Sequence, residues 1–207
     1  MATNLQRWVQ EFQNEWEDKP IEYLDQSGNW KRDSDPLFGS VSNAIKSRNY
    51  ELTVDELLRI SQWKLQSGRN DANITQNSSN EVVDQFQNAL DATTDSEAVD
   101  ELTELSGIGV PMASTVLTVA MPSQYAIVDY RAFRGLAGLK PELFDSQEYS
   151  VYSEFLEHFR TYLTRSEAYD YYMTHVREIA ADEDLSARER STWLFGRSIM
   201  KWRSTAY

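Results

Sequence analysis

Apolar side chains recur at helical spacing through most of this chain. Leu5, Trp8, Val9, Phe12 and Trp16 share one face of an amphipathic helix, because steps of three and four residues return to the same side. Residues 18–36 lose that rhythm around a Ser27-Gly28-Asn29 turn and read as a looser stretch. Leu37, Phe38, Val41, Ala44 and Ile45 predict a second helix. Thr53-x-x-Glu56 is a capping box that opens a third, carrying Leu57, Leu58, Ile60 and Trp63. Residues 67–79 are rich in Asn and Ser and read as a loop. Ser78-x-x-Glu81 then starts a helix with Val82, Val83, Phe86, Ala89 and Leu90 on one side. After a polar break at residues 93–95, a short acidic helix ends near Leu105. Three helical segments follow residue 140. They are marked by Tyr152, Phe155, Leu156 and Phe159; by Tyr172, Val176 and Ile179; and by Trp193, Leu194 and Trp202 behind a Ser186-x-x-Glu189 box. Neither a βαβ alternation nor a strand ladder is visible. The predicted fold class is all-α.

Composition narrows the chemistry. The chain has 207 residues, enough for one large domain or two small lobes. No Cys is present, which excludes disulfides, thiolate metal sites, Cys-ligated clusters and a Cys nucleophile. With 2 His, imidazole metal sites and Ser-His-Asp triads are poorly supplied. Six Trp, 11 Tyr and 8 Phe argue for a packed protein despite the polar composition. No membrane span or signal peptide is read, so the expected address is the cytoplasm. The net charge of −13 disfavours non-specific adhesion to nucleic acid. That charge is uneven, since Arg188, Arg190, Arg197, Lys201 and Arg203 face only Glu189 after residue 184. The basic end could lie along phosphates or pair with the acidic bulk. Tyr169, Tyr171, Tyr172 and His175 are read first as packing residues, with a pocket lining as the alternative.

Residues 102–139 carry the functional signal. A short helix ends at Leu105, Ser106-Gly107-Ile108-Gly109 follows, and a second helix opens with Pro111 in its first turn, where a missing N–H costs nothing. Such a turn offers free amides at a helix N-terminus, a phosphate cradle that needs no basic side chain. It could equally be a plain turn between packed helices. Twenty residues after Gly109 stands Asp129, in Ile127-Val128-Asp129, with Tyr130-Arg131-Ala132 behind it. Asp129 could cap the following helix, act chemically, or do both.

Leu102, Leu105, Gly107, Ile108, Gly109, Ala113, Val116 and Leu117 together resemble the helix-hairpin-helix DNA-binding motif. With Asp129 at this separation, the segment resembles the helix-hairpin-helix–GPD superfamily of DNA glycosylases, which includes endonuclease III and 8-oxoguanine glycosylase. The resemblance implies an all-helical unit over 1–207, two lobes with a cleft, a hairpin at 99–121 and a catalytic element at 127–139. It implies excision of a damaged or modified base by N-glycosidic hydrolysis, with Asp129 as the catalytic carboxylate. Gly107, Ile108, Gly109, Val110 and Arg131 would hold the DNA backbone, with Arg134 close by. Trp63, Lys64, Arg69 and Tyr130 are candidates for the base pocket. The implied partner is double-stranded DNA with a flipped base, bound by a monomer away from membranes. No cofactor is implied beyond room for a structural monovalent cation at the hairpin.

Two departures matter. Bifunctional members carry a lysine two residues after the second hairpin glycine, where this chain has Pro111; the iron–sulfur branches carry four cysteines, and this chain has none. The expectation is therefore a monofunctional glycosylase. Lys64, beside Trp63, is either a displaced amine or a lysine whose stem lies over the indole. A non-catalytic hairpin module for DNA or protein binding is the alternative, and an acidic DNA mimic ranks third.

Overall fold

The computed structural model describes residues 21–24, 30–33, 37–65, 68–129, 132, 136 and 165–182. Strands β1 (Ile21–Leu24) and β2 (Trp30–Asp33) pair antiparallel, with Ile21 opposite Asp33 and Leu24 opposite Trp30. Helices follow: α1 (Leu37–Ser47), α2 (Val54–Leu65), α3 (Asp71–Ile74), α4 (Ser79–Asp91), α5 (Asp95–Thr103), α6 (Val110–Ala120) and α7 (Glu167–Asp182). The described residues are predominantly helical, as the periodicity predicts. The ribbon is an addition, lying in the stretch read as loose. Four-residue strands give too short an alternation to stand out, and a two-stranded ribbon is marginal alone. Here β1 lies against α2.

The capping boxes explain where the helices start. Ser78 accepts from the Glu81 amide while Glu81 accepts from the Ser78 amide, and Thr94 and Glu97 repeat the arrangement at α5. The polar break at residues 93–95 is thus itself a cap. Thr53 and Glu56 open α2 in the same way. Glu56 is buried and also receives the Arg48 guanidinium, so its charge is paired. Residues 67–79 differ from the expected loop. One helical turn, α3, forms there around Ile74, which is fully buried.

The core sits around α6. Val110 and all residues from 112 to 120 are buried, so this helix is covered on every side. Its neighbours are α1, α2 and α5, while α4 and α7 pack on α5. Polar groups in this apolar helix satisfy themselves locally. Thr115 donates to the Pro111 carbonyl at 2.7 Å and Thr118 to the Ser114 carbonyl at 2.6 Å. No helix among the described residues is long and apolar enough to cross a membrane. The Leu5–Trp16 stripe, the Tyr152–Phe159 and Trp193–Trp202 segments and the basic end lie outside the described residues.

Candidate active site

Two pieces of chain meet at the N-terminal half of α6. The first is the turn from α5 into α6. Gly107 takes φ +83°, a left-handed conformation open mainly to glycine. A Cβ there would stand 3.0 Å from Asn73 Cβ, 3.1 Å from Ile74 Cγ1 and 3.2 Å from the Ile74 amide, so α3 would have to give by a few tenths of an ångström to admit one. Ile108 tucks inward and is buried. Gly109 is the N-cap of α6 with extended backbone, and nothing lies within 4 Å of the place its Cβ would occupy. The Gly109 carbonyl accepts from Met112 and Ala113. Among the described residues no acceptor meets the N–H of Gly109 or Val110, as expected of the first donors of a helix.

Asparagines from the α3 segment fix this turn. Asn77 accepts from the Ser106 amide at 2.8 Å and donates to the Ser106 carbonyl at 3.0 Å, and Asn70 donates to the Gly107 carbonyl at 3.0 Å. No group of three or more acidic, His or Cys side chains is gathered as a metal site among the described residues.

The second piece is the segment after α6. Residues 121–125 turn, with the Gln124 and Tyr125 amides donating to the Met121 carbonyl, and the chain then runs without regular secondary structure to Asp129. Tyr125, Ala126 and Val128 are buried, so the backbone polar groups of this loop need protein partners. They find hydroxyls. Tyr169 Oη donates to the Ala126 carbonyl at 2.9 Å, Tyr172 Oη donates to the Ile127 carbonyl at 3.1 Å, and Ser114 Oγ accepts from the Val128 amide at 3.2 Å. Burial pushes both phenols well up, and the charge of Asp129 adds to the effect on Tyr172.

Asp129 ends this segment with both oxygens engaged. Oδ1 accepts from the Ala132 amide at 2.8 Å, which is an N-cap contact, and Oδ2 accepts from Lys64 Nζ at 3.3 Å. The pair is largely sheltered, with side-chain exposures of 13% for Lys64 and 22% for Asp129. Lys64 comes from the last turn of α2, where a cation also complements the helix dipole. The structure thus joins two sequence candidates 65 residues apart. It also links them to the α5–α6 turn: Ser114 lies five residues into α6 from Gly109, about 7.5 Å along the axis.

The other candidates are placed less tightly. Trp63 is partly buried and packs on the core. Arg69 is exposed, in the turn before α3. Tyr130, Arg131 and Arg134 lie outside the described residues. His175 stands edge-on to Tyr171, with ring centroids 4.7 Å apart, and contacts Glu178.

No family model, curated protein or solved structure matches this chain. Its function has to be read from the site.

The sequence offers Tyr169 and Tyr172 as packing residues or pocket lining; their hydroxyls hold the loop instead, and Ser114, which the sequence did not single out, joins them. A signal existed for the tyrosines: positions 169 and 172 are three apart and share a helical face. Nothing in the sequence marks Ser114 as an acceptor.

Proposed function

We propose that the protein is a DNA N-glycosylase that excises a damaged or modified base from double-stranded DNA, acting as a monomer. The observation that carries this reading is the setting of Asp129, a sheltered carboxylate with one oxygen fixed by a backbone amide and the other beside an ammonium. In this reading the α5–α6 turn is a helix-hairpin-helix element, and the fold forms two lobes with the site between them. The Gly109 and Val110 amides grip a phosphate and set the register without reading sequence. The target base leaves the stack at a cost of a few kcal/mol. As the glycosidic bond breaks, the electron pair departs with the base and positive charge develops on the sugar. The Asp129 carboxylate stabilises that charge and orients the water that captures it. Nothing in this sequence of events passes through a metal ion or cofactor.

The contact between Lys64 and Asp129 favours a second reading of the same site. Lys64 Nζ, having given a proton to Asp129, attacks the sugar C1′ and expels the base with the electron pair of the bond. Ring opening then gives an imine, and strand cleavage by β-elimination follows. Pro111 removes only the hairpin amine, and Lys64 would supply one from α2.

Asp129→Asn tests the role of the carboxylate. Asn caps about as well as Asp, so the Ala132 contact survives while the charge is lost. An electrostatic contribution of ~3 kcal/mol corresponds to roughly a hundredfold slower release. Release at the wild-type rate by a folded Asn variant would reduce Asp129 to a helix cap.

A further inference from the structure

We infer that Tyr172 and Ser114 are positioning residues for Asp129, holding the Ile127–Val128 peptide unit from both sides, at its carbonyl and at its amide, so that the oxygens of Asp129 meet Ala132 and Lys64. The inference rests on the base-excision reading for its rate consequence, and on geometry alone for its structural one.

Three consecutive residues of the loop are each held by a hydroxyl. Ala126 is held by Tyr169, Ile127 by Tyr172 and Val128 by Ser114. Ser114 is fully buried, as are Tyr169 and Tyr172. Tyrosines three apart share a face of α7, so both phenols reach this loop. Arg177, farther along α7, donates to the Gln124 carbonyl at 3.1 Å and pairs with Asp95. Asp170 receives the Ser96 amide and hydroxyl, which ties α7 to the start of α5. The helix that carries both tyrosines is thus anchored to the helix that leads into the Gly107–Gly109 turn.

Ser114 approaches from the other side. Its hydroxyl donates to the Pro111 carbonyl at 3.0 Å, leaving a lone pair for the Val128 amide. The carboxylate is consequently referenced to α6 through Ser114 and to α7 through Tyr172. A loop of this length without those hydroxyls would bury unpaired backbone groups and would shift to find water. A displacement near 1 Å is enough to slow catalysis by a large factor.

The test compares Tyr172→Phe, Tyr169→Phe and a variant carrying para-aminophenylalanine at 172, which restores a donor. Single-turnover base release and DNA affinity are measured on the full chain. The Ala132 amide, which donates to Asp129 Oδ1, is followed in parallel by its NMR chemical shift. Tyr172→Phe should slow release about tenfold at saturating DNA with unchanged affinity, and the amino variant should recover most of that loss. Tyr169→Phe, one residue farther from Asp129, should slow release less while costing similar stability. The Ala132 amide resonance should move in Tyr172→Phe, because its carboxylate acceptor has moved. Equal release in a wild type that is active and in Tyr172→Phe, with an unchanged Ala132 resonance, would overturn the inference. A wild type that releases no base while the Ala132 resonance still moves in Tyr172→Phe would uphold the positioning and sink the base-excision reading. Should Tyr172→Phe fail to fold, Ser114→Ala replaces it, with the same loss in rate expected and an unchanged rate and resonance counting against the inference.

Discussion

Gly107 and Gly109 differ by two positions and should respond to substitution in opposite ways. Gly109 has extended backbone and open space around its missing Cβ, so Gly109→Asp fits without strain. Aspartate is a better N-cap than glycine by a few tenths of a kcal/mol and complements the positive end of α6. Folding stability should therefore hold or rise slightly. The new carboxylate would stand where a phosphate approaches. Two like charges about 4 Å apart repel by about 1 kcal/mol in water and about 4 kcal/mol at an effective dielectric of 20. DNA affinity should then fall by tenfold or more, since ~1.4 kcal/mol is tenfold. Gly107→Ala is the converse. Placing Ala in a left-handed conformation costs about 1–2 kcal/mol, and forcing its Cβ against Asn73 and Ile74 adds roughly 1–3 kcal/mol. The melting temperature should drop by roughly 5–15 °C. Urea denaturation and fluorescence anisotropy with a DNA duplex at two salt concentrations read both effects. Unchanged DNA affinity in Gly109→Asp at matched salt would make the hairpin a plain turn. Wild-type stability in Gly107→Ala would refute the packing argument.

Further outcomes follow from the same geometry. Asn77→Ala removes three hydrogen bonds, to the Ser106 amide and to the Ser106 and Ile74 carbonyls, and should cost about 1–3 kcal/mol in urea denaturation. Burial raises the Asp71 carboxyl above its ordinary value despite the hydrogen bond from Gln62. The folded state therefore holds that proton more tightly than the unfolded chain, and Asp71 lowers stability as pH rises through its carboxyl range. Asp71→Asn should raise the urea midpoint at pH 7, with the gain vanishing below pH ~3, and an equal gain at both would contradict the sign. Borohydride added during turnover separates the two mechanisms. Water capture leaves no covalent adduct, whereas the Lys64 route gives a protein–DNA adduct that Lys64→Ala abolishes.

The helical class and most helix starts were legible because capping boxes and 3.6-residue periodicity are local signals. The turn at Gly107-Ile108-Gly109 was legible for the same reason, as was the capping contact of Asp129, which needs only the next three residues. The partnership of Lys64 with Asp129 was not. It depends on where the end of α2 meets the loop after α6, a long-range juxtaposition with no local signature. The β1–β2 ribbon and α3 were missed because four-residue elements carry little periodicity. Polar residues 70 and 77 read as loop, yet their amides are what hold the α5–α6 turn. Their role depends on backbone carbonyls 29 and 37 residues away. The hydroxyls of Tyr169 and Tyr172 were read as packing groups, and their rings do pack. Their second function, satisfying a buried loop, is visible only once the loop is in place.

Base excision is measured most directly by the release of free base. The full chain is incubated with duplexes that each carry one oxidised, alkylated or otherwise modified base, and the supernatant is analysed by mass spectrometry. At least one duplex should yield a free base, with release slowed about a hundredfold in Asp129→Asn. Tight binding of these duplexes with no base released from any of them would contradict base excision and make the protein a DNA-binding module.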